Sequence, residues 1–381
     1  MKFVLNRDIL LKEISIAQEI IATTKHFSNP ILANVFIHAE NNKLTIKATD
    51  IKVNFETCIP ADVLEEGYTT VYCDKFYTLL NTFPQCDVEF TNDESKVTLI
   101  PLVRKGKHTI NTFFSIPSES KSKEYPDFST PSESTKFFSF SIKDFKDMLS
   151  QTIFAISDDE TRHFMTGVYF EKDGDKFVMV TTDGRRLAYA SKPFSQNVDD
   201  FTPVIVPPKL LNILLKHAPN EGDIEIANDE KNDEKMIYFK FGNYQFASSL
   251  IVGNFPNYHK VIPENQNFFF EVQKSELLEI TKIVEAHIED KAKRIIFSLD
   301  ANALTVLSQE SDGDSGQEEI SCVYEGEKIS IGLSYQYIDE TLKAIPTDRI
   351  RFEFSGNMKA ITIKPCPESD YFHIVMPMQI D

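Results

Sequence analysis

The chain has 381 residues, with 58 Asp and Glu against 40 Lys and Arg and a formal net charge of -18. This excess of acid argues against a simple basic nucleic-acid binder, because neutralising phosphates requires surplus Lys and Arg, although a local basic face stays open. The hydrophobic fraction of 41% is enough for proper cores, and the length indicates two or three domains.

The cysteines and the N-terminal residues bear on the compartment. Five widely spaced cysteines include no C-x-x-C pair, which argues against a disulfide framework and against a Cys-based zinc site. The first residues, Met1 to Asp8, include a charged side chain already at the second position and lack the apolar region of a signal peptide. No run of 18 apolar residues occurs in the sequence. We therefore expect a cytoplasmic protein with reduced thiols.

Three segments predict a strand that runs directly into an amphipathic helix. Each has apolar residues at offsets 0, 2 and 7, where the period changes from the two of a strand to the spacing of a helix. They begin 135 and 132 residues apart, at Phe3, Phe138 and Phe270. Such a long, regular period indicates an internal threefold repeat.

Later landmarks follow the same period. Each repeat then carries a predicted hairpin: Val35–Ala39 with Leu44–Ala48, Val168–Glu171 with Phe177–Thr181, and Ile295–Leu299 with Leu304–Leu307. Each also has a strand leading into a second helix that stops at a proline, over Val71–Pro84, Val206–Pro219 and Ile331–Pro346. Proline cannot continue a helix, so a new strand is predicted after each one.

These landmarks predict an α+β protein of three tandem similar domains, each with two helices and antiparallel sheets. The expected boundaries are 1–128, 129–263 and 264–381. By composition, the Ser-, Glu-, Lys- and Pro-rich stretch Ser115–Lys136 is the best linker candidate between the first two, and an ordered loop over part of it stays open.

No sequence motif for catalysis is visible. Phosphate-binding, dinucleotide-binding, zinc-protease and serine-hydrolase signatures are all missing, and the eight histidines show no metal-like spacing. The acidic run Glu310–Glu319 predicts a solvated hairpin tip, and Asp158–Glu160 a helix end rather than an acid/base pair. We therefore expect no enzyme activity, no cofactor and no metal, although a site assembled only by the fold stays open.

One turn in the second repeat departs from the others. Thr181–Leu187 reads Thr-Thr-Asp-Gly-Arg-Arg-Leu, where the first repeat has only Ala48–Lys52 and the third Ser308–Glu310. A departure confined to one repeat is where an added function is expected. The alternative is an ordinary Asp-Gly turn with solvated arginines.

Charge is unevenly distributed between the predicted helices and the remainder of the chain. The six predicted helical segments, 7–25, 73–83, 142–156, 207–218, 273–294 and 334–349, sum to +1, which leaves -19 elsewhere. Either solvated helices simply mix their charges, or the helices form a layer that faces nucleic acid and contacts phosphate without reading bases. The candidate contacts are Lys12, Lys25, Lys75, Lys143, Lys146, Lys209 and Lys216, and the segment 207–218 is the clearest.

Five short motifs in a fixed order resemble the bacterial DNA polymerase III beta subunit family of sliding clamps. They are Met1-Lys2-Phe3, Asn29–Asn34, Thr182–Leu187, Phe255–Tyr258 and Val375–Met378. The resemblance implies a DNA polymerase processivity factor without catalysis: a head-to-tail homodimeric ring of six domains, with helices lining a central hole that encircles double-stranded DNA of any sequence.

The resemblance also implies sites and partners. A pocket between the second and third domains would receive peptides from the replicative polymerase catalytic subunit, the clamp loader, repair polymerases and mismatch-repair proteins. Its lining would be Met165, Thr182, Gly184, Arg185, Arg186, Leu187, Pro256, Lys260, Val261, Met358, Ala360, Met376, Pro377 and Met378. Methionines suit varied peptides, and arginine stems can line a groove while their charges stay in water. Arg162, His163 and Phe164 would join the DNA-facing lysines, and Ile110 and Ile283 would lie in the dimer interface.

Two other functions remain open on the sequence alone. One is an interaction scaffold of repeated domains without a DNA role, and the other is an enzyme whose site forms only in the fold.

Overall fold

The computed structural model describes residues 1–21, 29–93, 96–105, 108–109, 114–119, 125–231, 234–286, 288, 293–308 and 316–380. The chain folds into two compact units. The first consists of Met1–Lys143 and Lys209–Leu250, and the second of Asp144–Pro208 and Ile251–Asp381. Both combine helices with antiparallel sheets, which confirms the predicted α+β class.

Each repeat contributes two α-helices to the described part of the chain. They are α1 (Arg7–Ile21), α2 (Cys73–Thr82), α3 (Ile142–Thr152), α4 (Pro208–His217), α5 (Lys274–Glu285) and α6 (Tyr335–Ala344). The second helix of each repeat ends two residues before its proline, as predicted. The predicted segments 273–294 and 334–349 were too long, because α5 and α6 end at Glu285 and Ala344. Short 3-10 helices cover Pro30–Ala33, Ile153–Ala155, Glu160–Met165 and Tyr258–Lys260. No helix among the described residues has both the length and the apolar character needed to cross a membrane.

The first unit is built on one extended antiparallel sheet. Its strands are β1 (Lys2–Asn6), β2 (Asn34–Glu40), β3 (Lys43–Thr49), β4 (Val53–Pro60), β5 (Asp62–Glu65), β6 (Gly67–Tyr72), β7 (Asp87–Asp93), β8 (Lys96–Pro101), β9 (Arg104–Lys105), β10 (His108–Thr109), β11 (Phe114–Glu119), β12 (Phe138–Ser141), β17 (Asp223–Lys231), β18 (Glu234–Phe241) and β19 (Tyr244–Ser249). The sheet order is β12-β17-β18-β19-β4-β3-β2-β6-β11-β8-β7-β1-β5, and β9 pairs with β10 separately.

The second unit holds two sheets. Its strands are β13 (Val168–Asp173), β14 (Lys176–Thr182), β15 (Arg186–Pro193), β16 (Val204–Val206), β20 (Phe268–Gln273), β21 (Arg294–Asp300), β22 (Ala303–Ser308), β23 (Gln317–Ser321), β24 (Ile329–Ser334), β25 (Arg349–Phe354), β26 (Ile361–Cys366) and β27 (Tyr371–Val375). One sheet has the order β16-β13-β14-β15-β27-β26-β25-β20, and the other β23-β22-β21-β24.

The predicted hairpins are confirmed in all three repeats. β2 pairs with β3, β13 with β14, and β21 with β22. Each pair is antiparallel and lies at the predicted position in the chain. The turn between β2 and β3 places Asn41 and Asn42 at φ values of 52° and 56°. Asparagine tolerates this left-handed conformation, which explains why the chain turns here.

Consecutive repeats join through the same kind of strand pair in both units. In the first unit β4 pairs with β19, and in the second β15 pairs with β27. At each junction, the last strand of one repeat pairs with the strand that follows the hairpin of the repeat before it. One sheet therefore continues across two repeats.

The predicted linker is more ordered than its composition indicates. Its beginning lies in β11, which pairs with β8 and β6, so the linker prediction was wrong for this part. Farther along, the backbone NH of Ser132 and the hydroxyl of Thr135 both donate to Asp229 Oδ2, at 2.8 and 2.7 Å. Polar groups of Ser132 and Thr135 are thus satisfied by a residue of the neighbouring strand β17.

Phenylalanine rings fill the cores beneath the helices. Phe3 stacks on Phe90 with 4.6 Å between ring centroids, and Phe270 stacks on Phe352 at 4.5 Å. All four rings are fully buried, and each contributes roughly 1.5–3 kcal/mol of transfer free energy. Equivalent repeat positions thus hold equivalent core pairs.

Candidate functional site

The Asp-Gly turn of the second repeat is closed by its own side chains. Asp183 Oδ1 accepts from the backbone NH groups of Arg185 and Arg186, at 2.8 and 3.0 Å. Gly184 donates to Thr182 Oγ1 at 3.1 Å and has a φ of 89°. Glycine adopts this conformation without steric cost, so the local sequence accounts for the turn.

The first repeat copies this turn more closely than its sequence predicts. Asp50 Oδ1 accepts from the NH groups of Lys52 and Val53, at 3.0 and 2.7 Å, and Ile51 donates to Thr49 Oγ1 at 2.9 Å. Ile51 even adopts a φ of 79°, which is a rare conformation for a β-branched residue. The second repeat is therefore distinguished by its side chains and not by its backbone.

Arg186 carries the largest difference, because its guanidinium is buried. Its Nε donates to Asp183 Oδ2 at 3.1 Å, its Nη1 to Glu340 Oε2, and its Nη2 to the carbonyl of Phe154 at 2.9 Å. The guanidinium also lies 4.6 Å from the ring centroid of Tyr337. The side chain is 7% exposed, so the expectation that its charge stays in water was wrong for Arg186. Only Arg185 of the two arginines is exposed.

A buried histidine lies against this group. His373 packs on Phe154 with 5.4 Å between ring centroids. Burial, and then the neighbouring Arg186 guanidinium, lower the pKa of His373 to about 3. The imidazole is therefore neutral at physiological pH, and the positive charge here belongs to Arg186.

An apolar cluster lies beside the turn. It consists of Val178, Val180, Leu187, Tyr258 and Ile374, with Ala360 packed against it. Leu187 is buried, so it forms the floor of any groove at this place rather than a projecting contact.

Three exposed apolar side chains lie on chain segments that adjoin the cluster. Val261, Met358 and Met376 are 53%, 57% and 47% exposed. Each lies within three residues of a cluster member or of Ala360, which is packed against the cluster. Exposed apolar groups next to a buried apolar cluster can mark an interaction site.

Backbone hydrogen bonds fix the segments that carry these residues. The NH of Met376 donates to the carbonyl of Arg185 at 2.9 Å, and the NH of Met378 donates to Gly332 at 2.8 Å. The NH of Val261 donates to Tyr258 at 3.0 Å, and the hydroxyl of Tyr258 donates to Glu171. The segments that carry Met376, Met378 and Val261 are therefore held in place by the fold.

The remaining predicted lining residues divide into buried and accessible ones. Met165 is buried at the end of its 3-10 helix, where its carbonyl accepts from the backbone NH of Ser157 at 2.9 Å, and its place in the pocket stays a prediction. Thr182 is buried too, and its hydroxyl donates to the carbonyl of Arg186 at 2.6 Å. Half-buried are Pro256, Ala360, Pro377 and Met378, while Gly184 and Lys260 are exposed.

Sequence reasoning missed several residues of this site. Ile374 belongs to the cluster, Glu340 holds Arg186, and Gly332 lets the C-terminal segment approach β24. A Cβ on Gly332 would lie 2.6 Å from the carbonyl oxygen of Met378. A glycine inside a strand is a signal of close backbone approach, so Gly332 could have been found.

The predicted DNA-facing residues differ in their availability. Lys209 is held by Asp50 and by the carbonyl of Ile20 at 2.6 Å, so its ammonium is engaged within the first unit, and its role toward DNA stays a prediction. Lys216 donates to Glu19 at 2.6 Å while staying largely exposed. The segment 207–218 looked clearest because it contains no acid, but the tertiary structure supplies acids from the first repeat.

The other DNA-facing candidates are mostly at the surface. Lys12, Lys75 and Lys143 are exposed, and Lys146 and Phe164 are half-buried. Exposed Arg162 pairs with Asp159 at 2.9 Å, and exposed His163 Nε2 lies 2.9 Å from the carbonyl of Val252. Lys25 lies outside the described residues. Within the observed bounds the six helices carry ten Lys and Arg against eleven Asp and Glu, so they are close to neutral in a chain of charge -18.

The predicted dimer contacts are described only in part. Ile283 on α5 is 42% exposed, and Ile110 lies outside the described residues. At one edge of its sheet, β23 pairs with β22 on one side only among the described strands. Within the same described ranges, no three His, Cys, Asp or Glu side chains come together as a metal site.

Comparison with known proteins gives the family. Models of the DNA polymerase III beta subunit match residues 1–128 with the N-terminal domain, 140–257 with the central domain and 259–379 with the C-terminal domain. The beta sliding clamp of Treponema pallidum is 38% identical over 385 residues, with 100% of both chains covered. The chain belongs to the DNA polymerase III beta subunit family.

Two further matches share less sequence identity with the chain. The beta sliding clamp of Haemophilus influenzae is 26% identical over 388 residues, again with 100% of both chains covered. The crystal structure of the Pseudomonas aeruginosa sliding clamp bound to griselimycin shares the fold, with a TM-score of 0.91 at 23% identity and 100% of both chains covered. This membership makes the chain a DNA polymerase processivity factor, and the repeat-based resemblance is confirmed.

Proposed function

We propose that the protein acts as a head-to-tail homodimeric ring that encircles duplex DNA and captures partner peptides in the groove around Leu187. The three-domain division at 1–128, 129–263 and 264–381 would give the ring six domains. It would work in the cytoplasm, on the nucleoid during replication, and without catalysis.

The observation that supports the peptide pocket is that exposed Val261, Met358 and Met376 lie on segments adjoining the buried cluster that contains Leu187. Two of the three are methionines, which are unbranched and polarizable and so repack around different apolar side chains. Such a groove suits several partners that share a short apolar segment. The proposed partners are the replicative polymerase catalytic subunit, the clamp loader, repair polymerases and mismatch-repair proteins.

Ring closure is supported by the edge strand β23 and by charge. β23 reads Gln317-Glu318-Glu319-Ile320-Ser321, and its side chains are mostly exposed. The predicted partner strand of the first repeat lies around His108–Phe113, and Arg104, Lys105 and Lys107 precede it in the chain. Acidic residues on β23 and basic residues next to the partner strand would attract each other across a head-to-tail interface, and the edge of β23 that no described strand occupies can extend the sheet.

DNA binding would be weak and independent of sequence. The near-neutral helices repel phosphate far less than the whole-chain charge implies, and exposed Lys12, Lys75 and Lys143 can make backbone contacts. A closed ring stays on DNA by topology, so it does not require strong affinity.

The ring is tested by solution mass and by loading. Light scattering should give about twice the 43.6 kDa of one chain. A clamp loader should place the ring on closed circular DNA, and cutting the DNA should release it. A strict monomer, or retention on linear DNA, would contradict the ring.

The pocket is tested by peptide capture. A fluorescein-labelled peptide carrying the clamp-binding segment of the same organism's replicative polymerase should lose binding when Met376 and Met378 are both changed to Ala, while the dimer mass is unchanged. Leu64→Ala is the matched control, because Leu64 is an equally exposed apolar residue on β5. Undiminished capture by the double variant would refute the pocket assignment.

A further inference from the structure

The buried Arg186 network connects the proposed pocket with helix α6. On one side, Arg186 belongs to the turn whose carbonyl at Arg185 accepts from Met376. On the other side, its guanidinium reaches Glu340 and Tyr337, and both residues belong to α6. One side chain therefore spans from the floor of the groove to a helix that contributes no residue to its lining.

Glu340 is held in place for this contact. Its Oε1 accepts from Gln336 Nε2, one turn earlier in α6, at 2.9 Å, and its Oε2 accepts from Arg186. Both carboxylate oxygens are thus engaged by donors. A glutamine at this position has one acceptor oxygen in place of two and no negative charge, so it cannot keep both contacts in their present geometry and no longer neutralises Arg186.

Arg186 cannot move to water when this partner is lost. It is enclosed by Asp183, the ring of Tyr337 and the carbonyl of Phe154, and the neighbouring His373 is neutral. Losing Glu340 as a carboxylate would leave the buried guanidinium with Asp183 as its remaining acidic contact among the described residues, which is energetically costly. A shift of the guanidinium toward Asp183 would then disturb the turn, because Asp183 closes the turn through two backbone NH groups.

We propose that Arg186 is a positioning residue and not a peptide contact, and that through Glu340 it couples peptide capture to the placement of α6. The inference rests on the proposed peptide pocket. If the helices line the hole of the proposed ring, α6 belongs to its DNA-facing surface, and the same link would make partner binding and that surface respond to each other. Because coupling is reciprocal, each event shifts the other by the same factor.

The test compares Glu340→Gln with Asp339→Asn, using the labelled polymerase peptide and the full chain. Asp339 is the adjacent α6 residue and bonds Lys343 at 2.7 Å on the surface of the same helix. Glu340→Gln should weaken peptide binding about tenfold, within the usual range of coupling between sites, whereas Asp339→Asn should leave it unchanged. Equal peptide affinity for wild type and Glu340→Gln would overturn the inference.

A double-variant cycle separates positioning from general damage. Arg186→Lys keeps the charge but loses the forked geometry, so it should also weaken binding. If Arg186 acts through Glu340, the variant that carries both changes should bind the peptide as well as whichever single variant binds it less tightly. If the losses of binding free energy of the two single variants add up in the double variant, the coupling is overturned. Dimer mass and thermal unfolding are measured for each variant, and Tyr337→Leu replaces Glu340→Gln if the latter does not fold.

A third readout addresses α6 directly. The labelled peptide should slow amide hydrogen exchange over Tyr335–Ala344 in wild type and not in Glu340→Gln. Unchanged exchange in wild type would overturn the link to α6. If wild type does not bind the peptide at all, the proposed pocket fails, which is a distinct outcome from failure of the coupling.

Discussion

Substitution of Gly332 tests whether its close contact with the C-terminal segment positions Met376 and Met378 for peptide binding. In Gly332→Ala, the new Cβ would lie 2.6 Å from the carbonyl oxygen of Met378 and 3.0 Å from Ile380 Cγ1. Carbon–oxygen contacts in proteins begin at roughly 3.3 Å, so the strands must separate by roughly 0.7 Å. The hydrogen bond from the NH of Met378 to Gly332, now 2.8 Å, would reach about 3.5 Å and be largely lost.

The expected cost follows from these distances. Losing one backbone hydrogen bond costs about 1 kcal/mol, and the overpacking adds about 1–2 kcal/mol. Because Met378 and its neighbour Met376 move with the strand, we expect peptide affinity to fall about tenfold, which corresponds to about 1.4 kcal/mol.

The assay is peptide anisotropy together with denaturant unfolding. Ser330→Ala is the control, because it lies two residues away on β24 and loses only a 3.3 Å hydroxyl contact with Ser298. If Gly332→Ala kept wild-type stability and peptide affinity, the close approach of the two segments would not matter and the reasoning would be refuted.

Two further predictions concern the polar contacts between the first and second repeats. Burial raises the pKa of Glu13, whose carboxylate accepts from the hydroxyl of Tyr244 at 2.9 Å. A raised folded-state pKa means that its contribution to stability is full below the ordinary value of 4.5 and is lost as the pH rises through the folded value. Glu13→Gln should therefore gain melting temperature relative to wild type as the pH rises from acid to neutral, and a difference independent of pH would contradict this. Lys209→Ala leaves the nearly buried carboxylate of Asp50 without its ammonium partner and should cost about 1–3 kcal/mol in urea unfolding. The exposed control Lys75→Ala should cost less than about 0.5 kcal/mol, and equal effects of the two changes would count against a structural role for Lys209.

Part of the site could be predicted from the sequence. The Asp-Gly turn at Asp183 and Gly184 has a local cause, since side-chain acceptors and a positive φ act within five residues. The exposure of Met376 and Met358 agrees with their expected place in the groove. Arg186 illustrates the limit, because nothing in the turn's own sequence distinguishes it from exposed Arg185; the difference depends on Glu340, which is 154 residues away.

By itself, the sequence determined the α+β class, the threefold repeat, the hairpins and the proline stops of the second helices. All of these depend on periodicity and turn chemistry over a few neighbouring residues, and such interactions are encoded locally. Only the tertiary structure decided which charges are free. The helix beginning at Pro208 carries two lysines and no acid, yet Asp50 and Glu19 approach Lys209 and Lys216 from the first repeat. Charge is a property of composition, but its availability to phosphate depends on which distant segments the sheet brings together. The net charge of -18 therefore argued against strong DNA binding by the whole surface, but it did not identify which lysines are available to phosphate.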